Sequence, residues 1–334
     1  MIFVTGATGM LGSYLLYDLL NQGKSVLASK RSESSVSTTK YIFESLSEKG
    51  SDLFSRIKWV DLDLFSQIDI EEQLDGISEI YHCAAYISSS YKDKSFLVEN
   101  NKAITENMVN AAINKNISKF CHVSSIAALG NSKNGELISE KTLWKVQKNN
   151  SQYSTSKYYS EMEVWRGIAE GLNAVIVNPA VILGVGDWNK GSANLFKKLA
   201  DGLKYYTLGS SGFVDAKDVS QIMIQLMNCE QSFNNNYIVS AENLDFKTLF
   251  DKIANSLDVK APRIYATAFL TQVAWRVEWI KSMLIGKEPL ITKESARTAH
   301  KKLSYNNTKL LNAIEFEYLP LNESINSIAK YYKK

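Results

Sequence analysis

The chain has 334 residues, 45% of them hydrophobic and 22% charged, and a chain of this length buries roughly three quarters of the surface that its unfolded form exposes, which excludes large-scale disorder. The formal net charge of +3 is spread along the sequence with no basic block, so nucleic acid is excluded as a partner. Cys83, Cys121 and Cys229 are odd in number and lack metal-ligand spacing, which argues against a disulfide framework and against a metal, and points to a reducing, cytoplasmic setting.

The first stretch organises the rest. An apolar start passes into Val4-Thr5-Gly6-Ala7-Thr8-Gly9-Met10-Leu11-Gly12, and Leu11, Leu15, Leu16, Leu19 and Leu20 then recur at helical spacing. Glycines at 6, 9 and 12 let a strand turn tightly into a helix whose free amides face an anion such as a pyrophosphate. A Walker loop needs a lysine that is absent here, since Ser13 follows Gly12. Because the chain opens directly on this strand, no cleavable signal sequence is expected.

Gly23 stops the helix and Ser25-Val26-Leu27-Ala28-Ser29 reads as the second strand. An acidic residue after it would bond the ribose hydroxyls of NAD, whereas Lys30-Arg31-Ser32 suits a 2'-phosphate. The expected cofactor is therefore NADP, with NAD left open if both cations only coat a loop. A third strand at 57–60 ends in Asp61-Leu62, where Asp61 is placed to bond the adenine amino group, and a helix follows near 70–74. The fourth strand, 79–84, ends in Ala84-Ala85, small enough for a flat cofactor to lie against the backbone; His82 and Cys83 read as ordinary strand residues. Residues 98–112 predict a long helix on which Asn101 anchors neighbouring backbone, and a fifth strand, 119–123, delivers Ser124-Ser125 to the carboxyl edge of the sheet.

Tyr153-Ser154-Thr155-Ser156-Lys157 adds a phenol and an ammonium one helical turn apart. Tyrosine exchanges its proton poorly at neutral pH, and a nearby cation favours the phenolate, so Lys157 is expected to tune Tyr153.

Over nearly its whole length the chain resembles the extended short-chain dehydrogenase/reductase family, also called the NAD-dependent epimerase/dehydratase family. The resemblance rests on the glycine segment, Asp61-Leu62, His82 to Ala85, Asn101, Ser124-Ser125, Tyr153 to Lys157 and Asn178-Pro179-Ala180-Val181-Ile182-Leu183-Gly184. It is most similar to the dihydroflavonol-reductase-like branch, in the Lys30-Arg31 region, residues 178–188 and Tyr305-Asn306-Asn307. The resemblance implies a Rossmann-type doubly wound parallel α/β sheet, residues 1–180 plus 213–240, interleaved with a smaller, mostly helical substrate lobe, 181–212 plus 241–334. Counting back from Gly130 places the catalytic serine at Ser125, with Ser124 in reserve, beside Tyr153 and Lys157. The implied cofactor set is Gly6, Thr8, Gly9, Met10, Leu11, Gly12, Lys30, Arg31, Asp61, Leu62, Ala84, Ala85, Tyr153, Lys157, Asn178, Pro179 and Val181. Ile126-Ala127 stands where dehydratases carry Asp-Glu, and Ser210-Ser211-Gly212 where nucleotide-sugar enzymes place an arginine.

The expected function is an NADP(H)-dependent oxidoreductase acting on a ketone or aldehyde, or the corresponding alcohol, of a small and moderately apolar substrate. The alternatives are a nucleotide-sugar epimerase with retained NAD and a non-catalytic NADP-binding sensor. Relatives that dimerise do so through helices matching 103–112 and 153–169, which makes a homodimer the expected assembly if there is one.

Beyond Pro179 the large sheet is expected to continue through Val214 and Tyr237-Ile238-Val239, with helices at 191–202 and after Pro262. Tyr86, Ser88, Leu129, Trp144 and Trp188 are candidate pocket residues, and Asp215 and Asp218 are expected to orient backbone. Residues 269–285 contain Arg276, Glu278 and Lys281, which a membrane span accommodates badly. They read as a packed amphipathic helix, with contact at a membrane surface as the alternative, and Trp275 and Trp279 as small-lobe core.

Overall fold

Strand β1 (Ile2–Thr5) is buried throughout and turns at Gly6, whose φ of +65° belongs to the left-handed region, into α1 (Met10–Asn21). In this computed structural model residues 1–86, 94–131, 135–147, 150–285 and 292–333 are described. From α1 the chain passes through β2 (Val26–Lys30), α2 (Ser37–Leu46), α3 (Gly50–Ser55), β3 (Lys58–Asp61), α4 (Gln67–Gln73) and β4 (Glu79–His82). It continues through α5 (Lys94–Asn114), β5 (Lys119–Val123), α6 (Gln152–Ala169) and β6 (Ala174–Pro179).

Then follow β7 (Val181–Leu183), α7 (Asn194–Ala200), β8 (Tyr205–Tyr206), β9 (Ser210–Asp215), α8 (Ala216–Asn228) and β10 (Asn235–Val239). The chain closes with β11 (Glu242–Asp245), α9 (Phe246–Leu257), β12 (Ile264–Tyr265), α10 (Ala268–Ile285), α11 (Lys293–Thr298), α12 (Thr308–Ala313) and α13 (Leu321–Tyr332).

Seven strands in the order β10-β6-β5-β4-β1-β2-β3 form one parallel sheet. The winding reverses between β1 and β4, and the carboxyl ends of strands at such a reversal are where open α/β sheets bind ligands. One face is covered by α1 and α8, whose Leu15, Leu16, Leu19, Val219, Ile222 and Met223 share a core with Val4, Val26 and Val177. The other face packs Ile70, Leu74, Met108, Val109, Ala112 and Val164 against Phe3, Ile80 and Phe120. Helices α5 and α6 lie close because Gly167 has no side chain: a Cβ there would sit 2.6 Å from Val109 Cγ1.

Val214 does not extend the large sheet. Pro179 has no N–H to prolong the ladder, the edge beside β6 is taken by β10, and β9 instead pairs with β7 and β11 in a separate three-stranded sheet. The smaller lobe, mainly helical as expected, thus also carries a small sheet of its own. Its core joins Leu183, Phe196, Phe213, Leu249, Ile253 and Ile325.

Residues 268–285 form the expected helix, but the expectation that it packs into the lobe fails. Thr271 and Trp275 turn towards α11, through a 2.9 Å contact between Thr271 Oγ1 and His300 Nε2 and through Lys293 over the Trp275 ring. Among the described residues the opposite face has no neighbour, so Trp275 is only half-buried and Trp279 is exposed. Among the described residues no helix is long and apolar enough to cross a membrane.

Candidate active site

The site is assembled at the carboxyl ends of β1, β4, β5 and β6. Gly6 is indispensable there: its φ is positive, and a Cβ would stand 2.6 Å from the Ala84 nitrogen of β4's extension. Gly12 lets α1 approach the turn, since a Cβ would come within 2.3 Å of the Gly6 carbonyl. Gly9 occupies the N-cap of α1 and has no side chain with which to cap it, so the first-turn amides near Met10 and Leu11 are available to an anion. Thr8 is half-buried and Gly9 exposed beside them.

Thr5 ties β1 to β4: its Oγ1 lies 2.8 Å from His82 Nδ1 and accepts from the Ala84 nitrogen at 3.2 Å. His82 is fully buried and neutral, its pKa pulled down to about 3 by burial, while burial pushes the Cys83 thiol up to about 12. Neither exchanges protons near neutrality, in keeping with their reading as strand residues. Ala84 and Ala85 lead to Tyr86, whose backbone is held at both ends by Asn101: Oδ1 accepts from Tyr86 N at 2.6 Å and Nδ2 donates to Tyr86 O at 2.9 Å. Asn101 thus anchors the backbone as expected.

Beside the ribose end of the expected cofactor track, β2 and β3 run in a register that places Lys30 opposite Asp61. Their side chains form an ion pair. Asp61 therefore meets a cation of its own chain, and Lys30 is partly neutralised. Arg31 is exposed and within 3.2 Å of Glu33. Leu62 is buried and donates its N–H to the Lys30 carbonyl at 2.9 Å.

The two serines after β5 face different partners. Ser124 donates to Glu161 Oε2 at 2.6 Å, whereas Ser125 accepts from Ala127 N at 3.1 Å and faces the Tyr153 hydroxyl. The turn that carries Ser125 is fastened to the start of α6 by Ser154, which donates to the Ala127 carbonyl at 2.6 Å, while Ser151 caps the helix through Ser154 N. Lys157, one turn below Tyr153, is buried and donates to the Val123 carbonyl at 3.0 Å. Burial pulls its pKa down to about 8, against opposing effects of Cys83 and Glu161.

Lys157 was expected to draw Tyr153 towards the phenolate. Instead, burial pushes Tyr153 above the ordinary tyrosine value, with Ser125 pulling it back. The phenol of the free protein stays protonated.

Glu161 was not singled out from the sequence. It sits one further turn along α6, almost fully buried, and accepts from Ser124, from Asn178 Nδ2 at 2.7 Å and from Trp165 at 3.2 Å. Burial raises its pKa, and these bonds with one from Asn236 pull it back. Asn178 also donates to the Ser125 carbonyl at 3.2 Å. One carboxylate thus gathers the ends of β5 and β6 onto the helix that carries Tyr153 and Lys157. The extension of Tyr-x-x-x-Lys by x-x-x-Glu was the available signal.

Pro179 closes β6 and Val181 opens β7, half-buried, on the far side of this network. Of the pocket candidates, Trp144 lines a cleft of about 610 Å³ with Gly130, Leu137 and Leu143 and stacks on Tyr158 at 4.1 Å. Leu129 is buried and Tyr86 exposed. Trp188 is packing rather than pocket, held edge-on by Phe196 and Tyr332 in the small-lobe core. Ser88 lies outside the described residues. Asp215 caps α8 through Lys217 N, and Asp218 accepts from Leu319 N, so both orient backbone.

Two features fit a dinucleotide. The uncapped start of α1 offers donors to a pyrophosphate at one end. At the other, Asn178 Oδ1 is a buried acceptor with no hydrogen-bond partner among the described residues.

Known proteins share this chain's sequence pattern and fold. A putative dihydroflavonol 4-reductase of Synechocystis is 24% identical over 99% of this chain and 94% of its own length. Sterol demethylase protein B of Methylococcus capsulatus is 25% identical, covering 93% of this chain and 88% of that protein. The crystal structure of gox2253 superposes with a TM-score of 0.81 at 23% identity, covering 100% of this chain and 98% of that one. The chain is an enzyme of NAD(P)-linked carbonyl and alcohol chemistry. The profile of the NAD dependent epimerase/dehydratase family matches residues 2–239, and the chain belongs to that family.

Proposed function

We propose that the protein is an NADP(H)-dependent oxidoreductase that reduces a ketone or aldehyde, or oxidises the corresponding alcohol, on a small, moderately apolar substrate. The observation that carries this reading is the meeting of the Ser125 and Tyr153 hydroxyls over buried Lys157 at the winding reversal of the sheet. Gly6, Thr8, Gly9, Met10, Leu11 and Gly12 hold the pyrophosphate. Arg31, with Lys30 when it leaves Asp61, receives the 2'-phosphate; Asp61 and Leu62 border the adenine; Ala84, Ala85, Asn178, Pro179 and Val181 border the nicotinamide. The bound nicotinamide supplies the hydride.

In the reductive direction Tyr153 gives its hydroxyl proton to the substrate oxygen while Ser125 donates a hydrogen bond to that oxygen, holding charge as it develops. Lys157 bonds the cofactor ribose and, as a cation, steadies the phenolate left behind. A cytoplasmic setting and a homodimer built on the outer faces of α5 and α6 belong to the same reading.

Oxidation of NADPH and NADH against aldehydes, ketones and UDP-sugars, with wild type and Tyr153→Phe side by side, tests it. The expected result is NADPH-linked reduction that Tyr153→Phe lowers by about a hundredfold or more, with the dissociation constant for NADPH nearly unchanged. Tightly retained NAD with stabilisation by a UDP-sugar would favour an epimerase instead, and an undiminished Tyr153→Phe rate would remove the tyrosine from the chemistry.

A further inference from the structure

The largest feature that the active site leaves unexplained is the outer face of α10. Phe269, Val273, Val277, Ile280 and Met283 follow one another at steps of four, four, three and three, so they stand in one row along the helix. All are exposed, Phe269 at 79%, Val277 at 57% and Met283 at 69%. Leu270 and Trp279 widen the row, both also exposed. The inner face is accounted for by α11, and none of the described residues covers the outer one. A contiguous apolar row of this size on a folded protein marks a contact surface.

Its electrostatic setting narrows what it contacts. Among the described residues from 263 to 302, seven lysines and arginines stand against two glutamates, a local excess of five in a chain whose entire net charge is +3. Arg276 sits within the apolar row, and Lys281 beside Val277 on the next turn. The one carboxylate of α10, Glu278, is turned inward, 19% exposed and 3.6 Å from Lys281. A second copy of the chain docking face to face would bring two such cationic surfaces together. An anionic lipid surface meets both requirements at once: acyl chains accept the apolar row and headgroups attract the flanking cations.

We propose that α10 lies in the headgroup region of an anionic bilayer, docking the protein on a membrane surface without spanning it. This docking is independent of the hydride-transfer reading.

Co-sedimentation of the full chain with vesicles decides the matter, comparing neutral phosphatidylcholine with phosphatidylcholine containing about 30% phosphatidylglycerol. The expected result is binding at least about tenfold tighter to the anionic vesicles, weakened by added salt, and lost in the triple variant Phe269→Ser, Val277→Ser, Met283→Ser. These positions are exposed, so the variant's melting temperature is expected to match wild type, which separates loss of docking from loss of fold. Absence of binding to the anionic vesicles, or binding that the triple variant retains, overturns the proposal. So does a concentration-dependent dimer in solution that the same variant abolishes, since that would assign the face to a second copy.

Discussion

Lys157 is the residue on which pH bears most directly. Its ammonium is present below about 8 and lost above it, because burial disfavours the charge. On the proposed mechanism the reductive rate falls as pH rises through that value, and a pH profile of kcat reads the fall. Glu161 opposes the burial effect on Lys157, so Glu161→Gln is expected to move the falling limb to lower pH and to reduce kcat by roughly tenfold, much of the loss arising from the misplaced Asn178 and Ser124. A purely structural role would lower activity without displacing the limb. The site was legible in the sequence as residue types at a spacing, namely Tyr153 with Lys157 and a serine pair at a strand end. Which serine turns to the tyrosine came only from the family resemblance, which placed it at Ser125; the residues alone do not say, because adjacent strand residues face opposite ways and the tertiary partner decides. That partner is Glu161, and a glutamate on a helix ordinarily reads as solvated surface.

Among elements, the pairing of β2 with β3 bears most on cofactor choice. Both cations after β2 were visible in the sequence, but the register that puts Lys30 against Asp61 depends on a partner strand some thirty residues away. Both cations are paired, but the Arg31–Glu33 pair is exposed on both sides and therefore weak, so Arg31 is expected to carry most of any preference for a 2'-phosphate. Arg31→Ala should weaken NADPH binding by about tenfold while changing NADH binding little, and Asp61→Asn, which frees Lys30, should tighten NADPH. Titration calorimetry with both cofactors checks each, and equal losses for the two would point to a general role of Arg31. The first five strands of the large sheet, and Tyr237-Ile238-Val239 of β10, were readable as short apolar runs, whereas β6 was visible only as the Asn178-Pro179 motif at its end. Helices α2 and α3 were not anticipated in the serine-rich stretch after Arg31. Nor was the three-stranded sheet, whose strands are of three to six residues and pair across long sequence separations.

At the level of the whole molecule, the large sheet encloses two stacked histidines, His82 and His122, with ring centroids 5.4 Å apart. Neither ring nitrogen of His122 has a hydrogen-bond partner among the described residues, and burial holds its pKa far below the ordinary histidine value. The folded form stays neutral while the unfolded chain takes up a proton below about pH 6.5, so stability is lost as pH falls through that value. The unfolded-state titration limits the loss attributable to His122 between pH 7 and pH 5 to at most about 2 kcal/mol. Asp18 and Asp218, pushed up to about 6 and about 7, act in the opposite sense, and a comparison of variants removes their share. His122→Phe is therefore expected to lose less stability than wild type over that interval, by no more than about 2 kcal/mol, measured by urea unfolding at both pH values. An equal loss would mean that the ring takes up its proton in the fold as readily as in the unfolded chain.

The chain leaves the large sheet at Pro179 for β7, returns from β9 through α8 to supply β10, and leaves again for β11. Each layer is thus threaded through the other, and no single cut yields two self-sufficient pieces: ending the chain after Pro179 would strip the large sheet of its edge strand, and the remainder would begin inside a sheet of three. The two lobes are bound to unfold together. Rearrangements over the cofactor must likewise pivot about these crossings, all of them next to the strand ends that bear the reacting groups, so the substrate lobe cannot shift without the catalytic edge registering the movement.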